Sequence, residues 1–530
     1  MTTRRHLLAG AAALSLTPVS AWAAAKAPKP VKRQAILDTM KTATRFMTDK
    51  VAFHGGYVWA YSADMTQRWG EMEAYSTMIW IQPPGTATMG HVFLDAYHAT
   101  GDEAYYTAAT QVADGLIAAQ HPSGGWHYFH DFGGPESRKR WYDTIGKNAW
   151  RLEEFQYDWG NATFDDAGTS ESMQFLLRLY VEKTDARFKP ALDKALNFVL
   201  ESQYPIGGWP QRYPANPVKL HGHDDYTGDI TFNDDVAGEN IRFLTMYEQT
   251  IGDPRIPDAI LRAMSVYLVT QQGQPQPGWG LQHTLDLKPA GARTYEPKAL
   301  ATHTTFANIR QLMDFYRLTG ETKYLARIPE ALDWLDSVRL PDADGKTNRH
   351  PTFIELGTNK GLYIHRRGSN IVNGAYYYDY DPTFTLGHYS SFRMLDVAKL
   401  RAEYEKLKAT PPEVASQDSP LKVKAPLPKY FVAEMNAGSD LNAPDKVQGV
   451  ADLVKGLNKQ GYWPTLLKAV SHPYTQDGSP TPAPGDFRTT RVGDETDTSP
   501  FVTDKPATGI STSAYIDNMA KLIAALPTAK

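Results

Sequence analysis

The sequence predicts an all-α fold, an α/α toroid of paired helices, on three observations. A helix–turn–helix unit repeats, each helix carries an apolar stripe of helical period, and the spacing between units varies. Phe93 to Trp126 reads as an apolar helix, the turn Thr100-Gly-Asp102, a second helix, and Gly124-Gly-Trp126. The same grammar runs from Met173 through Lys183-Thr-Asp185 to Gly207-Gly-Trp209, and from Phe243 through Ile251-Gly-Asp253 to Pro277-Gly-Trp279. A fourth copy, from Ile309 through Thr319-Gly-Glu321, lacks the tryptophan turn.

Within these units Met173, Leu176, Leu177 and Tyr180 recur at helical spacing, as do Leu192, Ala195, Leu196 and Val199, and Ile309, Leu312, Met313 and Tyr316. A helix pair with one such stripe buries it only by stacking on neighbours. Asp102 and Asp185 are 83 residues apart, Asp185 and Asp253 only 68. That looseness suits long loops on a toroid better than an open solenoid. Gln34 to Val51 reads as a further amphipathic helix. Lys406 to Lys429 is rich in Pro, Lys and Ser and reads as a linker or strap. Lys446–Leu457 and Ser513–Leu526 read as helices, in a small domain or in an extension packed on the toroid. The expected organisation is an export signal over 1–23, the toroid over 33–400, and a linker with a mostly irregular C-terminal extension over 401–530.

The N-terminus pairs Arg4-Arg5 with a short apolar run that ends at Ala21-Trp22-Ala23. This is the pattern of a cleavable twin-arginine signal, so a periplasmic or extracellular location is expected. Cleavage after Ala23 removes two arginines and takes the formal charge from −4 to −6. A mildly acidic chain is a poor nucleic-acid binder, and no apolar run is long enough to span a bilayer. A monomer without membrane or nucleic-acid partners is expected. With no cysteine, thiolate sites and disulfides are excluded, and the chemistry falls to Asp, Glu, His, Asn, Lys and Arg.

Four segments hold such residues beside helices: Thr163-Phe-Asp-Asp-Ala-Gly-Thr169, Gln203-Tyr-Pro-Ile-Gly-Gly-Trp-Pro-Gln-Arg-Tyr-Pro214, Ile230-Thr-Phe-Asn-Asp-Asp235 and Leu287-Lys-Pro-Ala-Gly-Ala-Arg-Thr-Tyr-Glu296. Taken singly, Asp165, Asp166, Asp234 and Asp235 fit helix N-capping, and Arg293 fits a surface arginine. Two acidic loops one helix pair apart also fit convergence on one rim, where their oxygens form the ligand set of a Ca²⁺ site. His221-Gly-His223-Asp224-Asp225 offers zinc-ligand types but no further partner motif. The tryptophans of the Gly-Trp turns read as core plugs rather than sugar platforms.

Together, and in order, the four segments resemble the family 10 polysaccharide lyases, pectate lyases built on an α/α toroid; the resemblance extends from Tyr57 to Asp381. It implies an exported, calcium-dependent enzyme that cuts de-esterified polygalacturonate, an acidic polysaccharide, by β-elimination. It assigns calcium-mediated substrate binding to Asp165 and Asp234, and removal of the C5 proton to Arg293. It places Arg366 and Lys288 along the substrate, and Tyr376, with Tyr377, Tyr378 and Tyr380, reads as an aromatic cluster on a loop that lines a sugar cleft. A guanidinium with a pKa above 12 is an awkward base, eased if calcium and neighbouring cations disfavour its protonated form. The chain departs from the family at Asp166 and Asp235, and at Ile371-Val-Asn-Gly-Ala-Tyr376, where an arginine is missing. A lyase for another polyuronate and a glycoside hydrolase using paired carboxylates on the same toroid are the alternatives.

Overall fold

The computed structural model describes residues 31–149, 152–216, 225–366, 376–386, 391–431, 440–444, 449–472, 474 and 497–528. The signal read at 1–23, and His221, His223 and Asp224, lie outside the described residues.

The chain forms an α/α toroid of inner and outer helices with small sheets at the turns. The first units are α1 (Arg33–Phe46), α2 (Thr86–Thr100), α3 (Glu103–Ala119) and a short surface helix α4 (Pro135–Thr144). Two pairs follow: α5 (Gly168–Lys183) with α6 (Lys189–Ser202), and α7 (Val236–Thr250) with α8 (Ile256–Thr270). Next come α9 (Thr302–Thr319), α10 (Ile328–Ser337), α11 (Val397–Lys408), α12 (Pro412–Ala415), α13 (Val450–Gly456) and α14 (Thr512–Ala525).

Inner and outer helices differ in how they are buried. α2 buries every residue from Thr86 to Ala96, and α5 every residue from Gly168 to Leu179. A helix covered all round sits inside the structure, and α14, α2, α5 and α7 pack side by side in that order. α3 buries one stripe instead, through Tyr105, Ala108, Ala109, Val112 and Leu116, and packs on α2.

The tryptophan turns are core plugs. Trp126, Trp209 and Trp279 are fully buried, and each indole N–H donates to a carbonyl of the outer helix before it: Leu116 at 2.8 Å, Val199 at 2.8 Å and Tyr267 at 3.1 Å. Gly124 (φ 106°) and Gly207 (φ 108°) occupy left-handed backbone pressed on the next outer helix. A Cβ there would lie 2.2 Å from the Lys194 carbonyl oxygen and 2.0 Å from that of Arg262. The C-terminal region carries the same device. Trp463 donates to the Leu453 carbonyl at 2.9 Å, and the Gly461 turn packs on Thr42 of α1. α13, this turn, the paired strands Thr465–Val470 and Phe501–Ser511, and α14 thus repeat the outer-helix, turn, inner-helix order.

The linker read from Lys406 begins later than expected, because α11 runs to Lys408 with Leu400, Tyr404 and Leu407 buried. The strap beyond it is pinned at Phe431. Its backbone N–H donates to both carboxylate oxygens of Asp95, and its ring lies 4.4 Å from the Arg178 guanidinium. Among the described residues no helix is long and apolar enough to cross a membrane.

Candidate active site

The loop entering each inner helix is tied to the segment just past the tryptophan turn that closes its own unit. The N–H groups of Ile81 and Gln82 donate to Tyr128, that of Phe164 to Gln211, and those of Phe232 and Asn233 to Leu281. This recurrence brings three entry loops to one rim: Gln82 before α2, Asp165 and Asp166 before α5, and Asp234 before α7. The strand Ile230–Thr231 also pairs with Gln282–His283, which pairs with Pro289–Ala290. Arg293 follows three residues beyond Ala290 and reaches the same rim.

The acidic loops are not helix caps. α5 and α7 begin at Ala167 and Asp235 without a side-chain cap hydrogen bond. Both loops instead hold two successive non-glycine residues in left-handed backbone: Asp166 (φ 52°) with Ala167 (φ 60°), and Asp234 (φ 50°) with Asp235 (φ 58°). Such residues cost on the order of 1–3 kcal/mol each and cluster at functional sites.

Arg293 is the centre of a buried ionic cluster and is 4% exposed. Its Nη2 donates to Oδ2 of Asp165 at 2.5 Å and its Nη1 to Oε1 of Glu296 at 3.1 Å, while Nε lies 3.2 Å from Oε2 of Glu154. The loop is clamped as well. The Thr294 N–H donates to Glu153 at 3.0 Å, and the Tyr295 hydroxyl to Glu154 at 3.1 Å. On the other side, Nε2 of Gln82 donates to Glu71 at 2.6 Å and to Asp166 at 2.8 Å.

Negative charge exceeds positive charge here, and the protonation states follow. Burial works to lower the pKa of Arg293, but Asp165, Glu154 and Glu296 outweigh it and hold the guanidinium well above its ordinary value. The neighbouring cations imagined from the sequence are replaced by carboxylates, which favour the protonated form. Burial alone would raise Asp165; Arg293 and the Tyr128 hydroxyl, which donates to Oδ2 at 2.5 Å, bring it below the ordinary range. Asp166 is pushed well up by burial, then by Asp165 and Asp234. Glu71 is pushed up to about 8 by burial, then by Glu154. Asp234 is pushed well up by loss of water and then by Asp165. Its side chain is open to solvent at the rim, so the repulsion from Asp165 carries more weight than loss of water.

Asp165 and Asp234 lie within hydrogen-bonding reach of each other, and Oδ1 of Asp165 is buried without a hydrogen bond among the described residues. Two carboxylates in that relation need a shared proton or a cation. Among the described residues no three acidic or imidazole groups form a ready metal cage, so a cation here would need oxygen ligands beyond these carboxylates.

Of the residues expected from the sequence, Asp165, Asp234 and Arg293 come together. Tyr376 joins them indirectly, its ring 5.4 Å from that of Tyr295. Arg366 ends the strand Gly361–Arg366, opposite Tyr376 in the antiparallel register. Lys288 is exposed on the turn before Pro289. Sequence reasoning missed Gln82, Glu71, Glu154 and Tyr128. Gln82 was findable as the entry loop of α2, whereas Glu71 and Glu154 stand in no motif.

Residues 133–384 match the family described as pectic acid lyase. A search of curated protein sequences returns no match. Among solved structures, a variant of the family 10 polysaccharide lyase from Cellvibrio cellulosa, in complex with trigalacturonic acid, is 20% identical. That alignment covers 61% of this chain and 98% of that one, with a TM-score of 0.39. An α-1,6-mannanase from a Salegentibacter species is 12% identical over 94% of this chain and 99% of that one, TM-score 0.36. Cellobiose 2-epimerase from Spirochaeta thermophila is 12% identical over 63% of this chain and 76% of that one, TM-score 0.40. Likenesses this distant carry no argument about the site. The family match does, and the stretch that holds Asp165, Asp234 and Arg293 carries the sequence pattern of a pectic acid lyase, an enzyme of the polysaccharide lyase class.

Proposed function

We propose that this polysaccharide lyase is an exported, calcium-dependent pectate lyase acting on de-esterified polygalacturonate. The observation that carries the reading is the convergence of Arg293, Asp165 and Asp234 at one rim, inside the stretch that matches the pectic acid lyases. The residues fit a hard cation. Asp165 presents a buried oxygen without a hydrogen bond among the described residues, Asp234 faces it from the solvent side, and the surrounding charge is negative. Asp165 and Asp234 would hold Ca²⁺, with the uronate carboxylate among the remaining ligands. Bound there, Ca²⁺ would supply positive charge beside that carboxylate, where charge accumulates as the C5 proton leaves.

Arg293 is held protonated by Asp165, Glu154 and Glu296, and its guanidinium suits donation to the developing enolate-like carboxylate. For it to take the C5 proton itself, those three carboxylates must first be neutralised or drawn to other partners. The clamp on the Arg293 loop by Glu153 and Glu154 limits reorganisation during the step.

One feature also suits a hydrolase. The cluster separates a carboxylate held low, Asp165, from carboxyls pushed up at Asp166 and Glu71, the split an acid–base pair requires. Ultraviolet absorbance of the products decides between the two. Elimination leaves a C4–C5 double bond conjugated to the carboxylate, and hydrolysis leaves none.

A further inference from the structure

Arg212 carries a buried positive charge that the reading above does not use. Its strand, Arg212–Tyr213, pairs with Ala162–Thr163 and places Arg212 opposite Thr163, two residues before Asp165. The side chain is 3% exposed. Nη1 sits 3.5 Å from Oδ1 of Asn161, and among the described residues Nη2 is buried without a hydrogen bond and no carboxylate forms an ion pair with the side chain. A cation taken out of water normally demands a counter-charge. Here two aromatic faces stand in for one: the guanidinium carbon lies 4.7 Å from the Trp159 ring centroid and 5.3 Å from that of Tyr128. So deep a side chain does not meet a sugar directly. Its influence passes through what it touches.

Tyr128 leads to the centre of the site. Its hydroxyl donates to Oδ2 of Asp165, the oxygen that also accepts Nη2 of Arg293. With Oδ2 occupied twice, Oδ1 is the oxygen left without a hydrogen bond among the described residues. We propose that Arg212 is a positioning residue for Asp165: by fixing and polarising the Tyr128 ring it keeps Oδ2 engaged and Oδ1 free for a cation. Outer-shell partners of this kind typically alter metal affinity or activity by about 10–100-fold. The proposal rests on the reading of Asp165 as a calcium ligand.

The test uses the full chain with Arg212→Gln, Arg212→Lys, Tyr128→Phe and the double variant Arg212→Gln/Tyr128→Phe. Calcium binding is measured by calorimetry, with melting on the same samples. Calcium affinity should fall by roughly tenfold or more in Arg212→Gln and in Tyr128→Phe. The double variant should lose little beyond either single one, and Arg212→Lys should recover part of the loss. A lowered melting point with calcium affinity unchanged within about twofold, or fully additive losses, overturns the proposal. If the wild type binds no calcium, the calcium reading fails on its own, and crystal structures of the wild type and Arg212→Gln then decide. Loss of the Tyr128–Asp165 hydrogen bond in the variant supports positioning, and its retention refutes it. Should Arg212→Gln not fold, Arg212→Lys is read by the same two measurements.

Discussion

Oδ2 of Asp165 is shared between two donors, Nη2 of Arg293 and the hydroxyl of Tyr128, each at 2.5 Å. This pairing joins the entry loop of α5 to a loop 128 residues further along the chain and fixes both at the rim. It also means that Asp165 and Arg293 are structural partners as well as candidates for chemistry, which shapes what their substitution does.

Arg293→Lys should keep the fold, because it retains a positive charge among Asp165, Glu154 and Glu296. Lysine cannot reproduce the planar fork, so turnover should fall by about 10²–10³, the usual cost of one lost transition-state donor. Arg293→Ala leaves buried carboxylates unpaired and should cost about 3–5 kcal/mol of stability. Steady-state kinetics and urea unfolding on both variants check this; wild-type turnover in Arg293→Lys would remove Arg293 from the mechanism.

Asp165 and Asp234 should part company on substitution. Asp165 is fully buried in an ion pair, so Asp165→Ala should lose about 3–5 kcal/mol along with activity. Asp234 is exposed and repelled by Asp165, so Asp234→Ala should leave stability within about 0.5 kcal/mol while abolishing calcium-supported activity. Melting and activity on the same samples test the pair. Preserved activity in Asp234→Ala would contradict its assignment.

A pH effect should arise far from the site, at Asp440. It is buried beneath α14, where the Ser513 hydroxyl donates to it, and burial raises its pKa to about 6. The folded value exceeds the unfolded one, so between about pH 4 and 6 the folded state binds the extra proton. Stability is therefore fully present below pH 4 and falls as pH rises through 6, by roughly 3 kcal/mol in all for this group. Asp440→Asn should remove that loss, seen as a smaller difference in unfolding free energy between pH 4 and 7. An unchanged difference would contradict the assignment.

The paired helices were legible because their stripes and Gly-Trp turns are local signals: Trp126, Trp209 and Trp279 all plug the same place. The C-terminal unit was harder to see. Its turn reads Gly461-Tyr-Trp463 rather than Gly-Gly-Trp, and a long insertion separates its two strands. The convergence of Asp165 and Asp234 was one reading of two acidic loops a helix pair apart, beside the capping that single acids suggest, whereas Arg293 entered the site only through the resemblance. Glu71 and Glu154 were invisible, because only the folded chain brings them to Arg293.

The most direct measurement is the formation of unsaturated product from de-esterified polygalacturonate by the wild-type protein, with calcium and then with a chelator. A cation held by Asp165 and Asp234 beside the substrate carboxylate, with Arg293 on the same group, requires that carboxylate free and charged. Product absorbance should therefore rise with calcium, vanish with chelator and fall as methyl esterification increases. Comparable rates on highly methylated pectin with chelator present would contradict the account.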